Sequence, residues 1–249
     1  MEDIQYMLKP DWVTWQDIKD CMIKAHEPLR KKGVLMQNQT MSIDEFEHYY
    51  LNSYCFVAMK EGKLIGTASL KIKTVKQWWA KGDVAYPFAD AIIPEYRGTD
   101  VFMELQKLRG KCIKELGINI LMFDTEENNK LVQKYNIKMG AKRIKLYASS
   151  KTWYYSVVMV KWLDGCPYSD WYCKFRFNLS KLLVRLIWKP GRIVRFLPVR
   201  DADYQRVYNH CLLCSKEMSE EDFCRKVEIG YNRYKKWKAK HQLIDNISG

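Results

Sequence analysis

Residues 88–105, FADAIIPEYRGTDVFMEL, constrain this chain more than any other stretch. A short apolar strand runs into Pro94, then Tyr96-Arg97-Gly98, then a helical pattern with apolar residues at 101, 102, 105 and 108. A strand that ends in a tight basic turn and opens a helix is one unit of an α/β sheet. It is also a place to hold a phosphate. The first helical turn has free backbone N–H groups, and the helix dipole favours negative charge there. Arg97 sits at the end of the helix that repels cations, and contact with a phosphate would explain its position.

The rest of the chain supplies the other elements. Ile4–Lys9 reads as a short strand. Thr14 caps a helix with Trp15, Ile18, Cys21, Met22 and Ala25 on one face, stopping at Lys31-Lys32-Gly33. Ser42, with Glu45 three residues on, starts a second helix. Residues 54–60 and 63–73 are strands joined by a tight Glu61-Gly62 hairpin. Residues 74–82, with Trp78 and Trp79, read as a loop, and 83–93 as the next strand. The 98–116 helix ends at Leu116-Gly117. INILMFD (118–124) follows as a nearly continuous apolar run, the pattern of a central buried strand. A helix from Asn128 or Asn129 to Met139 stops at Gly140, and 141–148 and 153–162 are further strands. The expected class is α/β, a mixed sheet flanked by helices over residues 1–162.

Residues 163–249 differ, and read as a basic, mainly helical C-terminal extension. Apolar residues at 172, 175, 179, 182, 183 and 186 make a helical stripe over 171–189, which Pro190-Gly191 breaks. Further helices are expected from about Asp201 and from Ser219 to about Lys240. The 249-residue chain carries a net charge of +13, of which residues 162–249 contribute +7. Such a balance suits anionic partners without choosing among a phosphorylated cofactor, an anionic substrate, nucleic acid or a membrane surface. No apolar run approaches the roughly 20 residues that span a bilayer. The N-terminus lacks the apolar core of a secretory signal, so the chain reads as cytoplasmic and its eight cysteines as reduced thiols.

Three stretches, in order, resemble the GNAT superfamily of acyl-CoA-dependent N-acyltransferases. They are the hairpin CFVAMKEGKLIGTASLKI, the turn IIPEYRGTDVFMEL, and ILMFDTEENN followed by a helix ending in MGAKRI. Gly140 lies eleven positions after Asn129, the spacing usual in that family's last segment. The resemblance covers roughly residues 1–162. It implies a splayed sheet in which the strand before the turn and the strand after the helix part at their C-terminal ends. The pantetheine arm of acetyl-CoA would then pair with Ala91, Ile92 and Ile93, as an added strand does. The resemblance places the pyrophosphate on the backbone of Arg97, Gly98, Thr99, Asp100, Val101 and Phe102, with Asn129 contributing across the gap. A backbone N–H of the first strand would polarise the acyl carbonyl, and an amine would attack the thioester directly while a carboxylate or water takes its proton.

Asp100 and Phe102 stand where the family usually has glycine or another small residue. A carboxylate near a pyrophosphate is repulsive by roughly 1 kcal/mol in water, and Phe102 lacks the freedom glycine gives for close backbone approach. Both point to weak or altered cofactor binding. The family's acid tyrosine, seven residues after the asparagine, is replaced by Asn136, and the neighbouring Tyr135 lies about 100° round the helix. Asp90 interrupts an apolar strand and reads either as general base or as a structural carboxylate. Catalytic candidates are therefore Asp90 and Tyr135. Trp78, Trp79, Trp153, Tyr154 and Tyr155 would frame an acceptor groove or pack against the extension. His26 reads as a core or surface histidine. Cys211-x-x-Cys214, with His210 and Cys224, is one pair without a second, so no metal is expected.

The expected activity is transfer of an acetyl group from acetyl-CoA to a primary amine, and the positive charge points to an amine carried on an anionic small molecule such as a nucleotide-linked amino sugar. The alternative is a catalytically inactive GNAT-fold module, or a nucleic-acid or membrane-surface binder acting through the extension. Partners would be an acyl-CoA and an amine, with a homo-oligomer open. Nucleic-acid binding lacks a base-reading motif. The basic, aromatic 171–189 segment suits either a membrane interface or docking on its own domain.

Overall fold

Period-two alternation and tight turns build the antiparallel half of the sheet. The structure is a computed structural model and describes residues 4–31, 41–148, 154–188, 198–214 and 218–241. Strand β1 (Gln5–Leu8) pairs with β2 (Ser53–Lys60), and β2 with β3 (Lys63–Gln77), around Glu61 and Gly62, both at positive φ. That is the geometry a two-residue hairpin needs, and it is why glycine stands at its second position. β3 pairs with β4 (Ala80–Ile92) along its whole length, from Gly66↔Ile92 to Gln77↔Ala80. The expected 74–82 loop is thus an extension of two paired strands. Cross-strand pairing continues to Gln77, with Trp78 and Trp79 in the turn, and Thr74 donates to Asp83 across the ribbon at 2.6 Å.

Beyond β4 come a 3-10 turn (Pro94–Tyr96), helix α3 (Val101–Glu115), β5 (Ile120–Glu126), α4 (Lys130–Lys138), β6 (Lys142–Ala148) and β7 (Tyr155–Trp162). Strand order is β1-β2-β3-β4-β5-β7-β6. The β4–β5 contact is parallel, while β5–β7 and β7–β6 are antiparallel. On one face lie α1 (Trp15–Arg30) and α2 (Ile43–Tyr50). Each begins with a capping box: Ser42 with Glu45 as read from sequence, and Thr14, read as a simple cap, with Asp17 reaching back to it. They bury Ile18, Met22, Phe46 and Tyr50 against Val57, Tyr86 and Phe88. The stacked and tilted rings of Phe46, Tyr50 and Phe88 lie 4.5–5.2 Å apart, each pair adding about 1 kcal/mol beyond area burial. On the other face α3 buries Val101, Leu105 and Ile113 against Phe56, Ala68, Leu70 and Ala85.

Helix α5 (Asp170–Ile187), capped by Ser169, covers the edge strand β6. Phe177 and Val184 pack on Leu146, Val157 and Met159, and the Leu146 N–H donates to Ser180 Oγ at 2.9 Å. Covering an edge in this way removes a template for unwanted strand pairing. Helices α6 (Asp201–Cys214), α7 (Glu220–Lys226) and α8 (Tyr231–Lys240) share a second core around Val207, Phe223, Tyr234 and Trp237. The single helix expected from Ser219 to Lys240 is two, because Glu228 turns to positive φ and the chain restarts at Gly230. Cys211 and Cys224 are buried in this core as free thiols, and burial pushes the Cys224 thiol up to about 12. Lys32-Gly33, Trp153 and Pro190-Gly191 lie outside the described residues, as does the side chain of Cys214.

Candidate active site

Strands β4 and β5 are neighbours at one end only. Ala85↔Leu121 is their one registered pair, although β4 continues to Ile92 and β5 to Glu126. β4 stays paired with β3 as far as Gly66↔Ile92, and β5 with β7 from Ile120↔Trp162 to Glu126↔Ser156. Each strand is held from outside, so the two diverge and leave a wedge lined by backbone groups.

A bulge shapes the β4 wall. The register steps from Ser69↔Phe88 to Thr67↔Ala91, so β4 spends one residue more than β3, and Ala89 takes φ +57°. Beyond it, Ala91 is paired with Thr67, and the Ile93 N–H donates to Ile65 O at 3.1 Å. Alternation then turns the backbone groups of Ile92 and Asp90 toward the wedge. Of the strand positions expected to meet a pantetheine arm, Ile92 therefore presents its backbone to the gap, while Ala91 and Ile93 are engaged with β3.

The bulge also sends the Asp90 side chain toward α3. The guanidinium of buried Arg109 grips it with both nitrogens (Nη2 to Oδ2, 2.9 Å) and donates to Ser69 O at 3.0 Å, and Gln106 Nε2 reaches the same carboxylate at 3.4 Å. Asp90, proposed from sequence as a base, is thus the anchor of α3 on β4, with its oxygens occupied by donors. On the opposite side His26, near the end of α1, is hydrogen-bonded to the Asp90 backbone, and its Nδ1 has no hydrogen-bond partner among the described residues. Burial first, and the charge of Arg97 second, lower the His26 pKa and keep the ring neutral.

At the mouth of the wedge, Gly98 (φ +80°) makes the turn that a side chain would resist. α3 starts without a side-chain cap: Asp100 occupies the N-cap but makes no cap hydrogen bond. The helical ladder begins with Glu104 N–H to Asp100 O at 2.9 Å, so Phe102 and Met103 N–H precede it. Arg97 does not reach toward this turn. It folds back to donate to Ala25 O and, at 3.4 Å, to Ile92 O. Thr99 Oγ1 donates to Tyr96 O at 2.7 Å. Across the wedge Asn129 caps α4, its side chain accepting from Val132 N–H. Phe102 meets Tyr135 edge-on at 5.9 Å, and the Tyr135 hydroxyl approaches Met103 Sδ. Tyr135 therefore joins α4 to α3, while Asn136 is the residue buried at that turn of α4.

Sequence reasoning missed the most polar cluster in the wedge. Asp124, on the diverging part of β5, accepts a hydrogen bond from Tyr86 Oη at one carboxylate oxygen and from Tyr147 Oη at the other, both at 2.7 Å. Burial first, and Asp124 second, push both phenols well above their ordinary range, and burial takes Tyr154 to about 12. Lys73 lies over the Tyr86 ring at 3.1 Å, and Lys71 over Tyr49 at 4.5 Å. Burial lowers the pKa of both lysines, opposed at Lys73 by Asp124. The signal was present in ILMFDTE, where an aspartate breaks an apolar strand as Asp90 does. Trp78, by contrast, lies at the ribbon tip, packed on Tyr168, Tyr172 and Arg176 of the extension. Tyr155 donates to Trp188 O at the end of α5. A groove of about 830 Å³ between α1 and the β2–β3 turn, lined by Trp12, Lys24 and Tyr96, is separate from the wedge. Among the described residues no three His, Cys, Asp or Glu are grouped to hold a metal.

Two expectations follow. Arg109→Met strips Asp90 of its partner and should cost about 3 kcal/mol in chemical denaturation, part of which Asp90→Asn in the same chain restores. His26 has a folded pKa below the unfolded value of 6.5, so the unfolded chain takes up the proton first. Its contribution to stability is full above that pH and is lost as pH falls. Denaturation at pH 7.5 and 5.5 should show the loss, and His26→Gln should flatten the difference.

No protein-family model matches the chain, and neither does any curated protein. Solved structures do match. A putative GNAT-family acetyltransferase from Desulfovibrio desulfuricans matches with a TM-score of 0.51 at 6% identity, over 65% of this chain and 99% of that one. A putative acetyltransferase from Acinetobacter baylyi matches with 0.51 at 14%, over 67% and 97%. A probable acetyltransferase from Staphylococcus epidermidis matches with 0.50 at 16%, over 64% and 99%. With its splayed seven-stranded sheet, the chain has the fold of the GNAT acetyltransferases over about two thirds of its length.

Proposed function

We propose that this protein transfers an acetyl group from acetyl-CoA to a primary amine, and that the amine is carried on an anionic small molecule. The observation that carries the reading is the wedge: two parallel strands, each zipped to an outer neighbour, with the Ile92 N–H and the uncapped start of α3 turned toward it. Those groups suit the amide-bearing arm and the diphosphate of a coenzyme A thioester. Acetyl-CoA supplies the activated acyl group. The chain's own residues do the rest. Backbone N–H of the β4 wall fixes the carbonyl, and the N-terminal turn of α3 holds the phosphates.

As the amine nitrogen bonds the acetyl carbon the C–S bond breaks and coenzyme A leaves as its thiolate, and the proton of the attacking amine goes to Asp124, directly or through one water, and from there to the thiolate or solvent. This carboxylate takes the part first considered for Asp90, because it faces the open side of β5 and is oriented by Tyr86 and Tyr147. Lys73 lies beside it as an ammonium group that burial has partly stripped of water, with Lys71 next to Lys73, a setting that favours an acceptor bringing its own negative charge.

Asp124→Asn should therefore lower kcat about a hundredfold or more and leave acetyl-CoA affinity by calorimetry unchanged. Lys73→Met should raise the acceptor KM in a panel of amines with and without a phosphate or carboxylate. Equal turnover of charged and neutral amines by both proteins would remove the anionic acceptor from the reading. A second reading, a binding module without turnover, is favoured by the Phe102–Tyr135 contact between the helices that flank the wedge and by Asn136 at the inward position. Mass spectrometry for retained coenzyme A and titration with acetyl-CoA test both. No binding at millimolar ligand removes the transferase, and binding without turnover across the amine panel leaves the module.

A further inference from the structure

Helix α5 is apolar on two sides. Its inner side, with Cys173, Phe177 and Val184, covers β6 and β7. Its outer side carries Trp171, Phe175, Leu179, Leu182 and Leu186, spaced four, four, three and four residues apart, and all exposed: Trp171 by 70%, Leu182 by 58% and Leu186 by 55%. This stripe is about 22 Å long. A helix of a water-exposed domain normally turns charge outward at these positions, so the stripe needs an explanation of its own.

The charges around it say what kind. Lys174, Lys181 and Arg185, at i, i+7 and i+11, run along one margin, and Arg176 stands on the other. From Trp171 to Arg200 the sequence has eight Lys and Arg and no Asp or Glu. Tryptophans stand at both ends of the helix, Trp171 and Trp188. Lys181 and Arg185 also reach the largely buried Glu127 at 3.5 and 2.9 Å, while their own side chains stay 38% and 50% exposed. An apolar strip between basic margins, with aromatic ends and a single acidic residue, Asp170 at the helix start, paired with Lys142 at 2.6 Å, matches an anionic lipid surface in both hydrophobicity and charge. No helix among the described residues is long and apolar enough to cross a membrane. A helix lying in the plane of the interface needs no such length.

We infer that the outer face of α5 binds the surface of an anionic lipid bilayer, with the stripe set among the headgroups and the basic margins against acidic lipids. The Trp188 end of the helix lies beside Tyr155 and Glu127, at the C-terminal end of β5, so the wedge opens close to that surface.

Co-sedimentation of the full chain with phosphatidylcholine vesicles, with and without phosphatidylserine, tests this. The result expected is binding that requires phosphatidylserine, falls with salt and shifts tryptophan emission to the blue. Leu182→Glu with Leu186→Glu should reduce partitioning at least tenfold, and Lys174→Glu about fivefold. Both sites are exposed, and unchanged circular dichroism and melting should accompany the loss. If the leucine variant fails to fold, Trp171→Ala and Lys174→Glu carry the test. Vesicle binding that is absent, or equal in the wild type and the variants, overturns the inference. So does a wild-type dimer that the leucine variant turns into a monomer without any vesicle binding, since a second copy would then cover the stripe. Binding to an RNA oligonucleotide that salt weakens and the leucine variant leaves unchanged, in the absence of vesicle binding, also overturns it.

Discussion

Everything at the candidate site follows from two strands with stronger obligations elsewhere. β4 is zipped to β3 and β5 to β7 over their full lengths, and right-handed twist rotates each strand from its neighbour. Among the described residues a single registered backbone pair, Ala85↔Leu121, joins the halves of the sheet, and side chains such as Tyr86 and Asp124 make the rest of the contact. Backbone groups that a continuous sheet would satisfy internally are left for something else, and an unsatisfied buried amide costs too much to leave without a partner. The wedge is therefore a binding feature made by topology before any side chain is considered.

Side chains then divide the wedge by function. Asp90 and Asp124 are both aspartates in apolar strands on opposite walls, and their neighbours give them different work. Arg109 turns the first into a rivet between strand and helix. The second accepts its hydrogen bonds from two neutral phenols, with the Lys73 ammonium near it but not bonded to it. Sequence could register that each aspartate was unusual. It could not say which would meet an arginine from a helix nearly twenty residues away, because that pairing depends on where the bulge at Ala89 sends the side chain.

Much of the fold was readable from local signals. The cap at Thr14, the capping box at Ser42, the Glu61-Gly62 turn, a helix start at Asn128 or Asn129 and its stop at Gly140 all depend on near neighbours in sequence, and all appear in the structure, that last helix capped by Asn129. The failures share a cause. The 74–82 ribbon, the break at Glu228 and the role of Tyr86 are decided by tertiary pairing, in which a Thr74–Asp83 bond or a phenol across the wedge outweighs propensity. Arg97 misled in the same way: its place at a helix start suggested a phosphate ligand, and its guanidinium instead closes the end of α1.

Ala89 shows how little reactive chemistry the site's architecture needs. A left-handed torsion in a residue with a Cβ costs about 1 kcal/mol, and here it decides which way two neighbouring side chains leave the strand. Glycine or asparagine would carry that torsion at less cost, yet the direction of the strand beyond it is fixed by the pairs on either side, Ser69↔Phe88 and Thr67↔Ala91. A residue with no chemistry of its own thus stands at the point where this strand aims its charges.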